Sequence, residues 1–371
     1  MRMKNAAGCA LVAALAVGSA APAFAQDFVG SAKKDKIVGT AGDDRMMGLG
    51  GKDRLFGGDG DDRLEGGPGN DRIYGGNGND EALLGGDGKD RIFGEAGADY
   101  IVGGLGKDRI ATGDGLDTAY GNEGNDRIVG GNGDPTWVIK DSNGVPVGHR
   151  GVYLYGDSGN DRLVGGAGED GIFGGVDDDR ITGAGAGDTL EGGEGDDRLK
   201  GGPGDDYLMD DNFRGDSGDD KLKGGPGNDF LEIFGGRDKA VGGPGDDDFY
   251  AYVGEGDVFK GGAGNDTFGD PQVPLTGLFR IVGGAGDDVI GVGDVDRDSV
   301  VNAGAGNDKI YVKNPFRGMR VTCGKGVDTV YFNVKAKKVK AKGCETVLYG
   351  KDAFSYQPDG AEPLWWRALA G

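Results

Sequence analysis

The chain has little of several things that function needs. Of its 371 residues, one is histidine (His149), three are cysteine and twelve are proline. One histidine leaves almost no room for a Ser-His-Asp centre, and no H-E-x-x-H motif of a zinc protease is present. Twelve prolines cannot support a Gly-X-Y collagen repeat. The 41 basic residues are outnumbered by 63 acidic ones, for a net charge of −22, which disfavours binding nucleic acid through a basic footprint. No apolar run reaches the roughly 20 residues that span a bilayer, so no transmembrane segment is expected.

Two residue types fill the chain instead. Glycine occurs 83 times, about 22% against a usual share near 7%. Of the 63 acids only 11 are Glu, leaving 52 Asp. A surface chosen only for solubility has little reason to prefer the shorter acid so strongly. Both residues are poor helix formers, so a large helical domain is not expected.

Residues 1–25 read as a secretory signal peptide. Arg2 and Lys4 precede an apolar run, Ala10–Ala16, and Ala23-Phe24-Ala25 forms an A-x-A cleavage site before Gln26. Ala7-Gly8-Cys9 precedes the apolar run rather than following it, so it does not read as a lipidation box. Removing Arg2 and Lys4 takes the mature charge to −24. The mature chain then holds Cys323 and Cys344, which are expected to pair in an oxidising compartment; two free thiols are the alternative. A loop of this length would contribute about 3 kcal/mol. A secreted, extracellular protein is expected, with association to the cell envelope as a variant of that reading.

Aspartate recurs every nine residues at 35, 44, 53, 62, 71 and 80, then at 90, 99, 108, 117 and 126. It returns at 161, 170, 179, 188, 197 and 206, then at 220, 229, 238 and 247, with a weaker tail at 257, 266, 288, 308 and 328. Clear units are Gly66-Gly67-Pro68-Gly69-Asn70-Asp71-Arg72-Ile73-Tyr74 and Gly201-Gly202-Pro203-Gly204-Asp205-Asp206-Tyr207-Leu208-Met209. Six residues of turn chemistry precede a three-residue strand, whose middle side chain points inward. The inward positions are Leu64, Ile73, Ile92, Ile101, Ile110, Ile128, Leu163, Ile172, Ile181, Leu190, Leu199, Leu208, Leu222 and Leu231. One unit buries almost nothing, whereas stacked units form a continuous core.

The pattern G-G-x-G-x-D-x-U-x resembles the RTX, or haemolysin-type calcium-binding, repeat family over roughly residues 30–130 and 156–331. That resemblance implies an all-β parallel β-roll (a β-solenoid), two repeats to a coil, with calcium between turns stacked on the same edge. The organisation expected is a signal peptide (1–25), a first repeat block (26–130), a hairpin-like insertion (131–155), a second block with short interruptions (156–331) and a disulfide-closed β cap and tail (332–371).

Calcium takes six to eight oxygens from carboxylates and carbonyls, which Asp and a glycine-rich turn supply. Turns with all three glycines put Asp62, Asp71, Asp80, Asp90, Asp108, Asp170, Asp197, Asp206, Asp229, Asp247, Asp266 and Asp288 forward as ligands. Asp44, Asp53, Asp99, Asp126, Asp161 and Asp220 follow turns that relax one glycine, and Asp179 joins them as a candidate. At Asp35, Asp188, Asp238, Asp257 and Asp308 the turns are degraded, and a coil without metal stands beside ligation. The −24 charge would be cancelled by twelve divalent ions, the number of complete turns.

Other features admit two readings each. In the unit opening at Gly130, Pro135 stands where Asp should be, and Thr136–Lys140 and Val152–Tyr155 flank a turn-forming Asp141-Ser142-Asn143-Gly144. This insertion, with Trp137 and His149, is either a binding loop or a tolerated excursion. Met209–Arg214 and Asp270–Arg280 are shorter interruptions of the same kind. Arg45, Arg54, Arg63, Arg72, Arg91, Arg109, Arg127, Arg162, Arg180 and Arg198 each follow a repeat Asp and should point outward in ladders. Such ladders serve either local charge balance or an anionic cell-surface glycan or cell-wall polymer. Lys335, Lys337, Lys338, Lys340 and Lys342 lead to Cys344 and are either a contact for an anionic cell-wall polymer or an outer strand of the cap, and Trp365 and Trp366 could cap as well.

Paired acids fall on repeat positions rather than forming a glycosidase pair, so no catalytic activity is expected. The reading is a secreted calcium-binding repeat protein that folds on calcium outside the cell. The alternatives are a calcium-dependent adhesin or glycan-binding envelope protein, and a toxin or hydrolase accessory protein.

Overall fold

A three-residue strand can bury only its central side chain, so a stable fold must come from stacking. The structure, a computed structural model, describes residues 11–12, 25–133, 138–140, 146–211, 218–252, 254–269, 274–296, 298–334 and 339–350. The leader assigned to residues 1–25 therefore falls almost wholly outside the described residues, as do Trp137, Lys335, Lys337, Lys338, Trp365 and Trp366. Among the described residues there is no helix, only short strands joined by turns. The chain forms two compact units, Met1–Gly245 and Asp246–Gly371.

In the first unit the repeat strands pair in parallel with the strand one full coil away. Lys36–Val38 lies beside Arg54–Asp59, which lies beside Arg72–Asn77 and then Arg91–Ala96. The intervening strands Arg45–Leu49, Arg63–Glu65 and Ala82–Gly88 pair among themselves on the other face. Two nonapeptides thus make one coil, and the unit is a parallel β-solenoid. All fourteen inward aliphatics expected from the repeat are no more than 2% exposed. Each contributes about 1.5–3 kcal/mol on burial, but a coil holds only two of them, so stability is collective.

The turns need glycine for a concrete reason. Gly58 has φ +124°, and a Cβ there would strike the carbonyl oxygen of Thr40 in the preceding coil. Both the dihedral and the close approach exclude a side chain.

The insertion departs from the strand partners expected for it. Val138–Lys140 pairs antiparallel with the start of Pro146–Ser158, with Val138 opposite His149 and Lys140 opposite Pro146. It does not pair with Val152–Tyr155. That stretch is committed to the roll, because Leu154 is buried and stacks beside Ala119. The side chains of Trp137 and His149 lie outside the described residues.

In the second unit the core turns aromatic, with Phe249 and Phe268 stacked 4.6 Å apart. Its final coil is built in parallel: Lys340–Lys342 lies on Arg320–Lys325, and Thr346–Tyr349 on Thr329–Phe332. A disulfide joins Cys323 and Cys344, whose Cα atoms are 5.1 Å apart, and so ties this coil to the one beneath it. No helix among the described residues is long and apolar enough to cross a membrane.

Candidate metal centre

The repeat aspartates form ladders along the edges of the roll. The backbone N–H of each donates to Oδ1 of the aspartate one coil on. Along one edge of the first unit Asp35 donates to Asp53, Asp53 to Asp71, Asp71 to Asp90, Asp90 to Asp108 and Asp108 to Asp126, at 2.7–2.8 Å. The same edge continues through Asp126, Asp161, Asp179, Asp197, Asp220 and Asp238. Along the other edge Asp44, Asp62, Asp80, Asp99 and Asp117 are linked in the same way. There the insertion replaces one aspartate: Val152 donates to Asp170, which leads on to Asp188, Asp206 and Asp229. In the second unit one ladder runs through Asp247, Asp266, Asp288, Asp308 and Asp328 and ends on Glu345.

All nineteen candidate ligands therefore stand in ladder positions. The structure adds Asp117 and Asp328, and it gives Asp188 and Asp308 the same surroundings despite their degraded turns. Asp257 differs: its successors along its edge of the second unit are Phe279 and then Ser299, which carry no carboxylate.

These carboxylates are buried, almost all at 4% exposure or less. Their second oxygen is the unusual atom. Oδ2 of Asp53, Asp62, Asp71, Asp80, Asp90, Asp99, Asp108, Asp126, Asp161, Asp179, Asp197 and Asp206 has no hydrogen-bond partner among the described residues. The same holds for Asp266 and Asp288 in the second unit. A buried carboxylate oxygen without a donor is costly, and fourteen of them in register call for a cation. Asp44 and Asp170 differ, because the turn N–H groups of Thr40 and Gly166 donate to their Oδ2 at 2.6 Å.

The electrostatics agree. Burial, the largest cause, pushes the carboxyl of Asp188 up to about 9 and those of Asp161, Asp197 and Asp266 up to about 8. Repulsion from neighbouring carboxylates adds to it. Asp53 and Asp62 are raised to about 6 by the same burial.

Carbonyl oxygens complete the donor set. A Cβ placed on Gly124 would meet the carbonyl oxygen of Gly106, one coil earlier, together with Oδ1 of Asp126. On Gly75 it would meet Oδ2 of Asp80 and the carbonyl oxygen of Gly94. Glycine thus keeps open a cradle lined by carbonyl and carboxylate oxygens, the hard all-oxygen set that calcium takes. The residues present fit that ion.

Two features were not read from the sequence. Where an Asp or Asn precedes the ladder Asp, its side chain accepts in a second ladder with the opposite sense. Asp61 N–H donates to Oδ1 of Asp43 at 3.0 Å, Asn79 N–H to Oδ1 of Asp61 at 2.7 Å, and Ala98 N–H to Oδ1 of Asn79 at 2.8 Å. The signal was present as the frequency of Asp and Asn there. Within the Met209–Arg214 interruption, Asp210 is fully buried and accepts from Phe234 N–H. Desolvation raises its carboxyl well above the usual range, and its oxygens approach those of Asp220 and Asp238 within 4.8 Å.

The model of the RTX calcium-binding nonapeptide repeat matches residues 25–55, 47–82, 80–110, 103–136, 155–190, 182–209, 208–232 and 253–268, more than half of the chain. No curated protein matches it. Proteins of that family bind Ca2+ in their turns. The chain belongs to the RTX calcium-binding nonapeptide repeat family.

Proposed function

We propose that this protein is secreted, that its aspartate ladders are its calcium ligands, and that calcium drives its folding outside the cell. The observation that carries the reading is the row of buried Oδ2 atoms without a donor, repeated in register. When bound, calcium supplies positive charge and coordination between stacked turns. The ligands proposed are Asp53, Asp62, Asp71, Asp80, Asp90, Asp99, Asp108, Asp126, Asp161, Asp179, Asp197, Asp206, Asp220, Asp229, Asp247, Asp266 and Asp288. Asp44 and Asp170 join them if the turn N–H groups yield. Oδ1 accepts from the backbone N–H one coil earlier and so fixes the preceding coil, and the glycine carbonyls face the same cradle.

Without cations, stacked buried carboxylates repel and resist desolvation, so the acidic chain stays extended where calcium is scarce. Outside the cell millimolar calcium suffices for weak sites to fill and the coil to close. The leader at residues 1–25 and the disulfide of Cys323 and Cys344 fit an oxidising exterior.

The test is circular dichroism during a calcium titration, with the bound ions counted by isothermal titration. A rise in β signal with many ions bound is expected. No rise up to about 10 mM, above the extracellular range, would sink the reading. A second reading, an envelope protein that binds an anionic glycan, is favoured by the row of cations that strand register sets on one face of the first unit, from Lys36, Arg54 and Arg72 to Arg198, Lys221 and Lys239.

A further inference from the structure

The two outward faces of the first unit differ in charge. One carries a cation on every coil, in the row from Lys36 to Lys239. The other changes character at Ala82. From there to Glu232 eight strands stack in register, each with two outward positions flanking a buried residue. Only two of those sixteen positions are charged, Glu191 and Glu232, in a chain whose net charge is −22. Glu232 accepts a hydrogen bond from the Tyr207 hydroxyl in the coil beside it.

Rings fill the middle of this strip. In one outward row Thr118 lies between Tyr100 and Tyr153. In the other Tyr120 lies between Val102 and Tyr155, and Phe173 follows. Tyr120 stacks on Tyr155 at 4.6 Å, and Tyr155 on Phe173 at 4.9 Å. Tyr100 and Tyr153 are 44% and 55% exposed. The Tyr153 ring leans over the next coil at Gly171, where a Cβ would strike two of its carbons, so glycine makes room for it. Stacking fixes these side chains before anything binds, which leaves little rotamer entropy to be lost. A centre rich in Tyr and Phe and nearly free of charge has the composition of a protein–protein contact, and tyrosine is among the residues that carry most binding energy there.

We propose that this strip is the contact between two copies of the chain. Two copies of so acidic a protein repel where their charged surfaces meet, and along the strip that repulsion is least. Eight coils make it about 34 Å long and two outward rows make it about 14 Å wide. Such a contact covers about 480 Å2 per copy and about 950 Å2 in all, the size of a reversible association rather than a permanent one. A two-fold axis along the strand direction sets the overlapped strips antiparallel. The coil of Glu191 then meets the coil of Thr118 and Tyr120, the coil of Glu232 meets that of Leu84, and no carboxylate faces another. A parallel arrangement would instead set the coils of Glu191, and those of Glu232, against each other.

The test is sedimentation equilibrium of the full-length protein in saturating calcium, from about 1 to 100 μM, the range in which a contact of this size should associate. Circular dichroism is recorded on the same samples. A mass that rises from one chain toward two is expected. Tyr100→Ser with Tyr153→Ser should weaken association about tenfold or more, while Tyr74→Ser, on the cation-bearing face, should leave it within about twofold. Thr118→Glu should weaken it more than Thr118→Lys, because it sets a carboxylate in the coil that meets Glu191. If the double variant does not reach the native spectrum, Tyr153→Ser alone is read, with a smaller loss in the same direction. A mass of one chain at every concentration overturns the proposal and leaves the strip to a partner of another kind. So does association that the tyrosine variants leave unchanged, or that Tyr74→Ser weakens as much. Equal weakening by the two Thr118 variants overturns the antiparallel arrangement. Calcium-driven folding fails separately: a chain with the same β signal in chelator ends that earlier reading, and its association is then read in the same way.

Discussion

The backbone N–H of Asp62 donates to Oδ1 of Asp80, one coil on, at 2.9 Å. The same carboxyl keeps Oδ2 buried without a donor among the described residues, and burial pushes its pKa up to about 7. One side chain thus does two jobs, clamping its neighbour and offering charge to a cation. The two separate in a pair of variants. Asp80→Asn keeps the acceptor and removes the charge. It should bind at least one calcium fewer and reach its β signal at lower calcium than Asp80→Ala. Asp80→Ala removes both and leaves Asp62 N–H without its acceptor, at a cost of about 1–3 kcal/mol. Ion counts by titration calorimetry, the calcium midpoint of the β signal and urea midpoints in saturating calcium read the two effects. Equal behaviour of both variants would show that the clamp and the charge are not separable.

Acid should partly replace calcium. Asp188, raised to about 9, and Asp161, Asp197 and Asp266, raised to about 8, hold protons more tightly in the folded coil than in the unfolded chain, where the value is about 3.9. A carboxyl shifted in this direction stabilises the fold below its unfolded pKa, and that contribution is lost as pH rises through the folded one. In metal-free buffer the β signal should therefore grow as pH falls from about 9 to about 5 and fade on return. A spectrum that does not change across this window would contradict the burial of these groups.

Much of this was legible because the repeat ties chemistry to phase. A nine-residue period with one aliphatic and one aspartate per unit dictates both the core, as at Ile110, and the ladder, as at Asp108. Three things escaped because they depend on stacking rather than on the repeat. The cation row appears only once alternate repeats are assigned to opposite faces, which separates Arg54 from Arg45. The clamp made by Asp61 and Asn79 is a relation between coils that no single unit contains. Asp210 lies off the nine-residue phase, and only stacking brings its oxygens within 4.8 Å of those of Asp220 and Asp238.

The disulfide gives the second unit a separate dependence. Cys323 is fully buried, and its bond to Cys344 closes a 21-residue separation across the last two coils. Cys344→Ser should cost about 3 kcal/mol of stability in saturating calcium, with the loss concentrated in the C-terminal coils. Amide hydrogen exchange should show faster exchange over Arg320–Tyr349 and little change near Ile110. Uniform acceleration along the chain would mean that the two regions unfold as one.

Glu95 is the clearest place to improve the roll. It stands in register with Gly76 one coil earlier, at φ +79° where Gly76 has +123°. A residue with a Cβ pays about 1–2 kcal/mol to sit in the left-handed region, and glycine does not. Glu95→Gly should therefore stabilise the calcium-loaded protein, by about 1 kcal/mol once the added flexibility of the unfolded chain is subtracted. The opposite change, Gly76→Ala, should destabilise it by more than that, because the new Cβ also strikes the carbonyl oxygen of Gly58. Urea midpoints of the two variants in saturating calcium decide the matter. If Glu95→Gly is neutral or harmful, the side chain earns its place through its charge at the turn. If Gly76→Ala is tolerated, the coils are not held at the approach that this backbone requires.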